Sequence, residues 1–260
     1  SAFTSGANAL QTPRMSSEVY YAQKQRCSAL LHKHYLYVAS SVEGPAKVDH
    51  GDIDILVCEP RPDSHMKTLP VYAQTEAIAT LLNAVRSIIP PVGAEVAANL
   101  AIPWPKDAEE EEEGGEEKYI QVDVRVCESL KVYNWMLFKH AHGDLWNLLG
   151  SMIRPYGLTV NDNGMYIRIP EVEQTNKNRA KVFLTSEPDA VLDFLGLPKE
   201  GFFDGPFDSV GDLYEYASRC RLMYIPATES KEEAFLSGKA NLKANDRRRM
   251  TYRPVFKRWI

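Results

Sequence analysis

The sequence predicts an α+β fold: a mixed sheet flanked by helices, followed by a mostly helical C-terminal part that carries a small hairpin. Three observations lead there. Short runs of alternating apolar residues, at 52–57 and 121–126, stand among stretches with apolar residues at helical spacing. The second half changes texture, with helical segments surrounding one strong turn signal, Asn161-Asp-Asn-Gly164. At 260 residues and 44% hydrophobic side chains, the chain can bury a sizeable core in one large domain or two modest ones. A wholly disordered chain is excluded. No apolar run reaches the roughly 18 residues needed to span a bilayer, so no membrane is expected among its partners.

Taken in order, Ser16 or Ser17 caps a helix over 18–34, and residues 35–39 form a short strand ended by Ser40-Ser-Val-Glu-Gly-Pro45. Gly51 punctuates before a second strand at 52–57. Ala77, Ile78, Leu81, Leu82, Val85, Ile88 and Ile89 predict one helix over 71–89, stopped by Pro90-Pro91. Two strands, 94–102 and 119–126, read as a hairpin whose long tip is an acidic loop at 107–117. A helix at 130–139 closes a first domain, 1–140, and a short connection at 140–143 leads into a second, 141–260. There, a helix over 144–154 precedes strands at 158–160, 165–169 and 181–184. Helices are expected from 186, over 209–219 and over 231–244, and a basic tail ends the chain.

Charge is unevenly placed. The acidic loop holds eight carboxylates, and removing their charge turns the net −5 into +3. It reads as a solvated, self-repelling loop. Residues 239–258 carry eight basic side chains against Asp246 alone, interleaved with Tyr252 and Phe256. Two readings stand for this tail: a wet-faced amphipathic segment, or a surface that meets the phosphates of an RNA or DNA acceptor. Four scattered cysteines in no Cys-x-x-Cys pair argue against a disulfide framework and for a reducing, intracellular setting, cytoplasm or nucleus. A first residue that is Ser rather than Met leaves organelle targeting open.

The chemistry lies in the strands. Alternation puts Asp52 and Asp54 on one face, with Ile53, Ile55 and Val57 on the other, and sets Asp123 against a Val122/Val124/Val126 stripe. If the apolar stripes bury and the strands are neighbours, three carboxylates share one open face. Such a group raises its own pKa values or holds a cation, and Mg²⁺ or Mn²⁺ with oxygen ligands leaves positions free for phosphates. Ser40, Ser41 and Gly44, after a strand, offer N–H and hydroxyl groups to phosphate oxygens.

These residues together, from Ser40-Ser41 through Asp52-Ile-Asp54 to Gln121-Val-Asp-Val-Arg125, resemble the DNA polymerase beta-like nucleotidyltransferases over about residues 16–140. The resemblance implies a nucleotidyltransferase-type sheet with a palm-like catalytic domain. It also implies transfer of a nucleoside monophosphate from a nucleoside triphosphate to a hydroxyl, releasing pyrophosphate. Carried over, Asp52 and Asp54 bind two Mg²⁺ (or Mn²⁺) ions, Asp123 joins them at the catalytic metal, and Ser40/Ser41 cradle the triphosphate. Ser40 stands where that family usually has Gly, the residue that best permits close backbone approach.

Other readings stand beside this one. Arg125 either meets a triphosphate or balances the acids, and Lys181 and Arg179 are triphosphate contacts on general grounds. His140 and His142 read as a helix junction with Asp144 as an N-cap, against a metal site. An Asp-x-Asp glycosyltransferase needs no third Asp on a later strand. A nucleotidyltransferase fold without transfer activity, binding nucleic acid or protein through its basic tail, is the alternative that Ser40 motivates.

Overall fold

The computed structural model describes residues 2–6, 8–89, 97–105, 117–176, 179–224 and 244–260. They fall into two compact units, Ser1–Ser41 with Lys47–Leu137, and Val42–Ala46 with Phe138–Ile260. The expected acidic tip, bar Glu117, and the helix expected over 231–244, bar Ala244, lie outside the described residues.

In the first unit the apolar stripes do bury. The elements follow as β1 (Met15–Ser16), α1 (Ser17–His32), β2 (Tyr35–Ala39), β3 (Asp49–His50) and β4 (Asp52–Pro60). Next come α2 (Val71–Leu81), β5 (Arg86–Ile88), β6 (Ala97–Pro103), β7 (Tyr119–Cys127) and α3 (Leu130–His140), whose last three residues belong to the second unit. Five strands form one mixed sheet in the order β2-β4-β7-β6-β5, and only the central pair β4–β7 is parallel. Ile53, Ile55 and Val57 join Ala98, Leu100, Ile102, Val122, Val124 and Val126 in one buried cluster. Tyr20, Cys27 and Leu31 from α1 and Ile78 and Ala79 from α2 complete it. Burying such side chains contributes roughly 1.5–3 kcal/mol each, which is why this face sets the register.

Local chemistry starts and stops the helices. The Ser16 hydroxyl accepts the Val19 N–H at 3.3 Å, so Ser16 is the cap of α1. The single helix expected over 71–89 ends instead at Leu81. Asn83 takes a left-handed φ of 56°, and the Val85 N–H turns to the Ala101 carbonyl at 2.8 Å. Residues 86–88 then pair with β6 as β5, an edge strand whose backbone finds partners on that one side. β1 and β3 form a two-residue antiparallel ladder that the sequence does not announce.

The second unit holds α4 (Leu145–Ile153), β8 (Leu158–Asn161), β9 (Gly164–Arg168), α5 (Pro170–Glu173), β10 (Lys181–Thr185), α6 (Pro188–Leu195) and α7 (Val210–Ser218). It ends in α8 (Ala244–Tyr252) and α9 (Pro254–Trp259). The Asn161-to-Gly164 turn closes the β8–β9 hairpin, and β10 adds a third antiparallel strand. Gly164 is required there: a Cβ at that position would lie 2.7 Å from the Phe183 ring and 2.8 Å from the Thr185 carbonyl. From Ala244 on, the basic tail is helical and anchored. Phe256 is buried, and the Tyr214 hydroxyl donates to the Val255 carbonyl at 2.6 Å. Among the described residues, no helix is long and apolar enough to cross a membrane.

Ile55→Ala tests whether the sheet's buried face carries the first unit. Chemical denaturation should show a loss of about 2–5 kcal/mol. A loss below about 1 kcal/mol would place the stabilising core elsewhere.

Candidate functional site

The face of the sheet opposite the apolar core is built in two halves. The parallel register sets Asp52 beside Gln121, Asp54 beside Asp123, Leu56 beside Arg125 and Cys58 beside Cys127. Partner Cα atoms in a sheet lie about 4.8 Å apart, so Asp54 and Asp123 are direct neighbours and Asp52 stands one pair away. Towards Cys58 and Cys127 the face is dry: both thiols are free and buried, and burial pushes Cys127 up to about 12. Tyr133 from α3 is buried close to both thiols. Towards Asp52 the face is polar. Asp54 is exposed, and Asp52 and Asp123 are half-buried.

Asp123 is the most constrained of the three. Asn99, its register partner on β6, donates from Nδ2 to Asp123 Oδ1 at 2.7 Å. Gln121 donates from Nε2 to Oδ1 at 2.8 Å and to Oδ2 at 3.0 Å. Since β6 flanks β7 on the side away from β4, the Asn99 bond draws this carboxylate away from Asp54. Burial raises the Asp123 pKa; the two amides oppose that shift and the nearby Asp52 charge adds to it, leaving a net rise.

A cation stands near the other acids. Arg14 pairs with Asp49 at 2.8 Å, and its guanidinium lies 3.4 Å from where a Gly51 Cβ would be. Asp49 first, and Asp52 more weakly, hold Arg14 firmly charged. The β1–β3 ladder fixes this arrangement by joining Ser16 to Asp49. Arg14, Asn99 and Gln121 were not legible as site residues. For Asn99 the signal was present, a lone amide on the outer face of an otherwise apolar strand; for Arg14, in a loop before a two-residue strand, there was none.

The remaining expected residues are placed as follows. Ser40 spends its hydroxyl inside the fold, donating to the Asp54 carbonyl at 2.5 Å, and Ser41 follows it, half-buried. Gly44 belongs to the second unit, where it lies against Gly143: a Cβ on it would make an ordinary contact at 3.5 Å with the Gly143 Cα. Lys181 and Arg179 are also in the second unit; Lys181 is exposed on β10, opposite Arg168. Arg125 reaches Met136 Sδ at 3.6 Å, towards α3.

The two histidines do not meet at a common ligand position. His140 Nε2 lies 3.8 Å from Asp162, whereas His142 is buried, its Nε2 2.7 Å from the Phe202 carbonyl oxygen. Burial lowers the His142 pKa. Asp144 sits at the N-cap of α4 but its side chain makes no cap bond there. It instead pairs with Arg253 and accepts from Asn147 at 2.9 Å, because an ion pair is the stronger interaction.

Compared with known proteins, the chain matches no family model and no curated protein. The donor set at Asp52, Asp54 and Asp123 is all carboxylate oxygen, which suits Mg²⁺ or Mn²⁺ in chemistry and in register. Among the described residues, however, no three His, Cys, Asp or Glu side chains are gathered closely enough to hold a metal ion.

The raised Asp123 pKa gives a signed test. The unfolded chain loses this proton first as pH rises, so the folded state loses stability across the interval from the ordinary carboxylate range up to the raised value. Asp123→Asn removes that loss. Urea midpoints should show the variant gaining on the parent as pH rises from the ordinary carboxylate range, about pH 4, towards neutrality. A gain that shrinks over that interval would mean the amides, not burial, dominate.

Proposed function

We propose that this chain is a metal-dependent nucleotidyltransferase whose sheet is of the nucleotidyltransferase type. The observation that carries the reading is the in-register pairing of Asp54 with Asp123 on neighbouring parallel strands, with Asp52 on the same face. Asp52 and Asp54 would hold Mg²⁺ or Mn²⁺, and Asp123 would complete the set. Bound there, divalent ions would supply a more acidic acceptor hydroxyl and neutralise charge on the departing oxygen.

The chain's own groups have separate tasks. The exposed Asp54 and half-buried Asp52 keep their carboxylates open to a ligand from solvent. Asp123, held by the Asn99 and Gln121 amides, would orient the acceptor hydroxyl. Arg14, close to Asp52, offsets the local negative charge so that a triphosphate can approach. The acceptor hydroxyl would give up its proton to solvent, its oxygen forming a bond to the α-phosphorus as the bond to the bridging oxygen breaks, and pyrophosphate would leave. Ser41, and a backbone held by the Ser40–Asp54 bond, would face the phosphates.

A second reading, a nucleotidyltransferase fold that binds but does not transfer, is favoured by one arrangement. The Ser40 hydroxyl and the Asp123 carboxylate are both engaged within the protein. Its partner would be nucleic acid, met by the exposed Arg247, Arg248, Arg253, Lys257 and Arg258 of α8 and α9 beside exposed Tyr252.

Supplying α-labelled nucleoside triphosphates with Mn²⁺ and RNA, DNA or protein acceptors tests the first reading. Label transfer should fall about 100-fold or more in Asp54→Asn, at an unchanged melting temperature. Transfer to no acceptor by the parent would reject it.

Oligonucleotide affinity against salt tests the second. Arg247→Ala and Arg248→Ala should each reduce the slope of log K on log salt by about 1, equally for all sequences. A slope unchanged by either substitution would remove the α8–α9 surface from the account.

A further inference from the structure

Gln121 is bonded on both sides. Its Nε2 holds both oxygens of Asp123, and its Oε1 accepts the Ala2 backbone N–H at 2.7 Å. The segment that carries Ala2 is itself tied to the sheet. Phe3 is buried, and its carbonyl accepts the Leu10 N–H at 2.9 Å. The Arg86 guanidinium on β5 donates to the Asn8 carbonyl, and the Tyr119 N–H at the start of β7 donates to the Gln11 carbonyl at 2.8 Å. Residues 2–6 and 8–11 thus form a strap fastened beside the row of Gln121, and that row neighbours the carboxylates.

We propose that Asn99 and Gln121 are positioning residues that hold Asp123 away from Asp52 and Asp54, and that the N-terminal strap sets this hold through Ala2. The inference rests on the metal-binding reading of the carboxylate face and names its regulation. Two amides and a divalent cation compete for the same carboxylate oxygens. When a cation takes Asp123, the carboxylate leaves Asn99 and Gln121. The freed Gln121 amide can then turn, which loosens its bond to Ala2. Coupling of this kind is reciprocal: whatever loosens the strap favours the cation, and the cation loosens the strap.

The probe is Mn²⁺ alone, with the full chain, read by electron paramagnetic resonance and by amide hydrogen exchange. Asn99→Ala removes the bond that draws Asp123 towards β6, so Mn²⁺ should bind about tenfold more tightly, the scale of one hydrogen bond to a charged group. Adding Asp123→Ala should abolish that gain. Structural damage does not tighten binding, so the sign separates positioning from misfolding. In the parent, saturating Mn²⁺ should speed exchange over residues 2–11 while leaving the buried strands protected.

Affinity unchanged or weakened in Asn99→Ala overturns the proposal, as does exchange over residues 2–11 that ignores saturating Mn²⁺. The two levels remain distinguishable. Mn²⁺ binding that depends on Asp52 and Asp54 but ignores Asn99 rejects the latch alone. No Mn²⁺ binding by the parent rejects the metal reading and the latch with it.

Discussion

The parallel pairing of β4 with β7 is the constraint on which the rest depends. Side chains in a strand alternate, so slipping this pair by one residue would set Asp54 opposite a valine and face the aspartates to the core. The apolar stripes forbid that slip: Ile53, Ile55 and Val57 on one strand and Val122, Val124 and Val126 on the other are buried in a single cluster. Register is therefore set by the hydrophobic side of the sheet, and the polar side inherits its geometry. The carboxylates are neighbours because the valines and isoleucines are.

That inheritance brings a conflict at Asp123. Its place next to β6 desolvates the carboxylate, and two amides are arranged to stabilise the charged form. Burial still wins, so the group sits above the ordinary carboxylate range. A half-buried acid with a raised pKa, supported by dedicated donors and next to a like-charged neighbour, breaks the rule that strands place acids in water. Perturbed groups of this kind cluster at functional sites.

How much of this was legible follows the physics of each element. The strands at 52–57 and 121–126 were readable because period-two alternation with β-branched residues is a strong local signal. The β8–β9 hairpin was readable from its turn residues alone. The helix expected over 71–89 was wrong in its last third, since Val85, Ile88 and Ile89 fit an edge strand as well as a helix and only the partner β6 decides between them. The short β1–β3 ladder, and with it the placement of Arg14, rests on contacts 33 to 35 residues apart that no local pattern encodes. Asp144 was read as a cap because the local rule favours it; a distant partner, Arg253, took the side chain instead. At the candidate site, alternation gave the face of each aspartate but not the direction in which its carboxylate leans. That direction is set by Asn99 on a third strand.

The central claim is that the face bearing Asp52, Asp54 and Asp123 is a divalent-cation site. Anomalous diffraction from a crystal grown with Mn²⁺ tests it most directly. The account predicts an anomalous peak coordinated by the Asp52 and Asp54 carboxylates, at Mn–O distances of about 2.0–2.2 Å, with Asp123 turned from Asn99 to join them. A map with no peak on that face, in a crystal saturated with Mn²⁺, would contradict it.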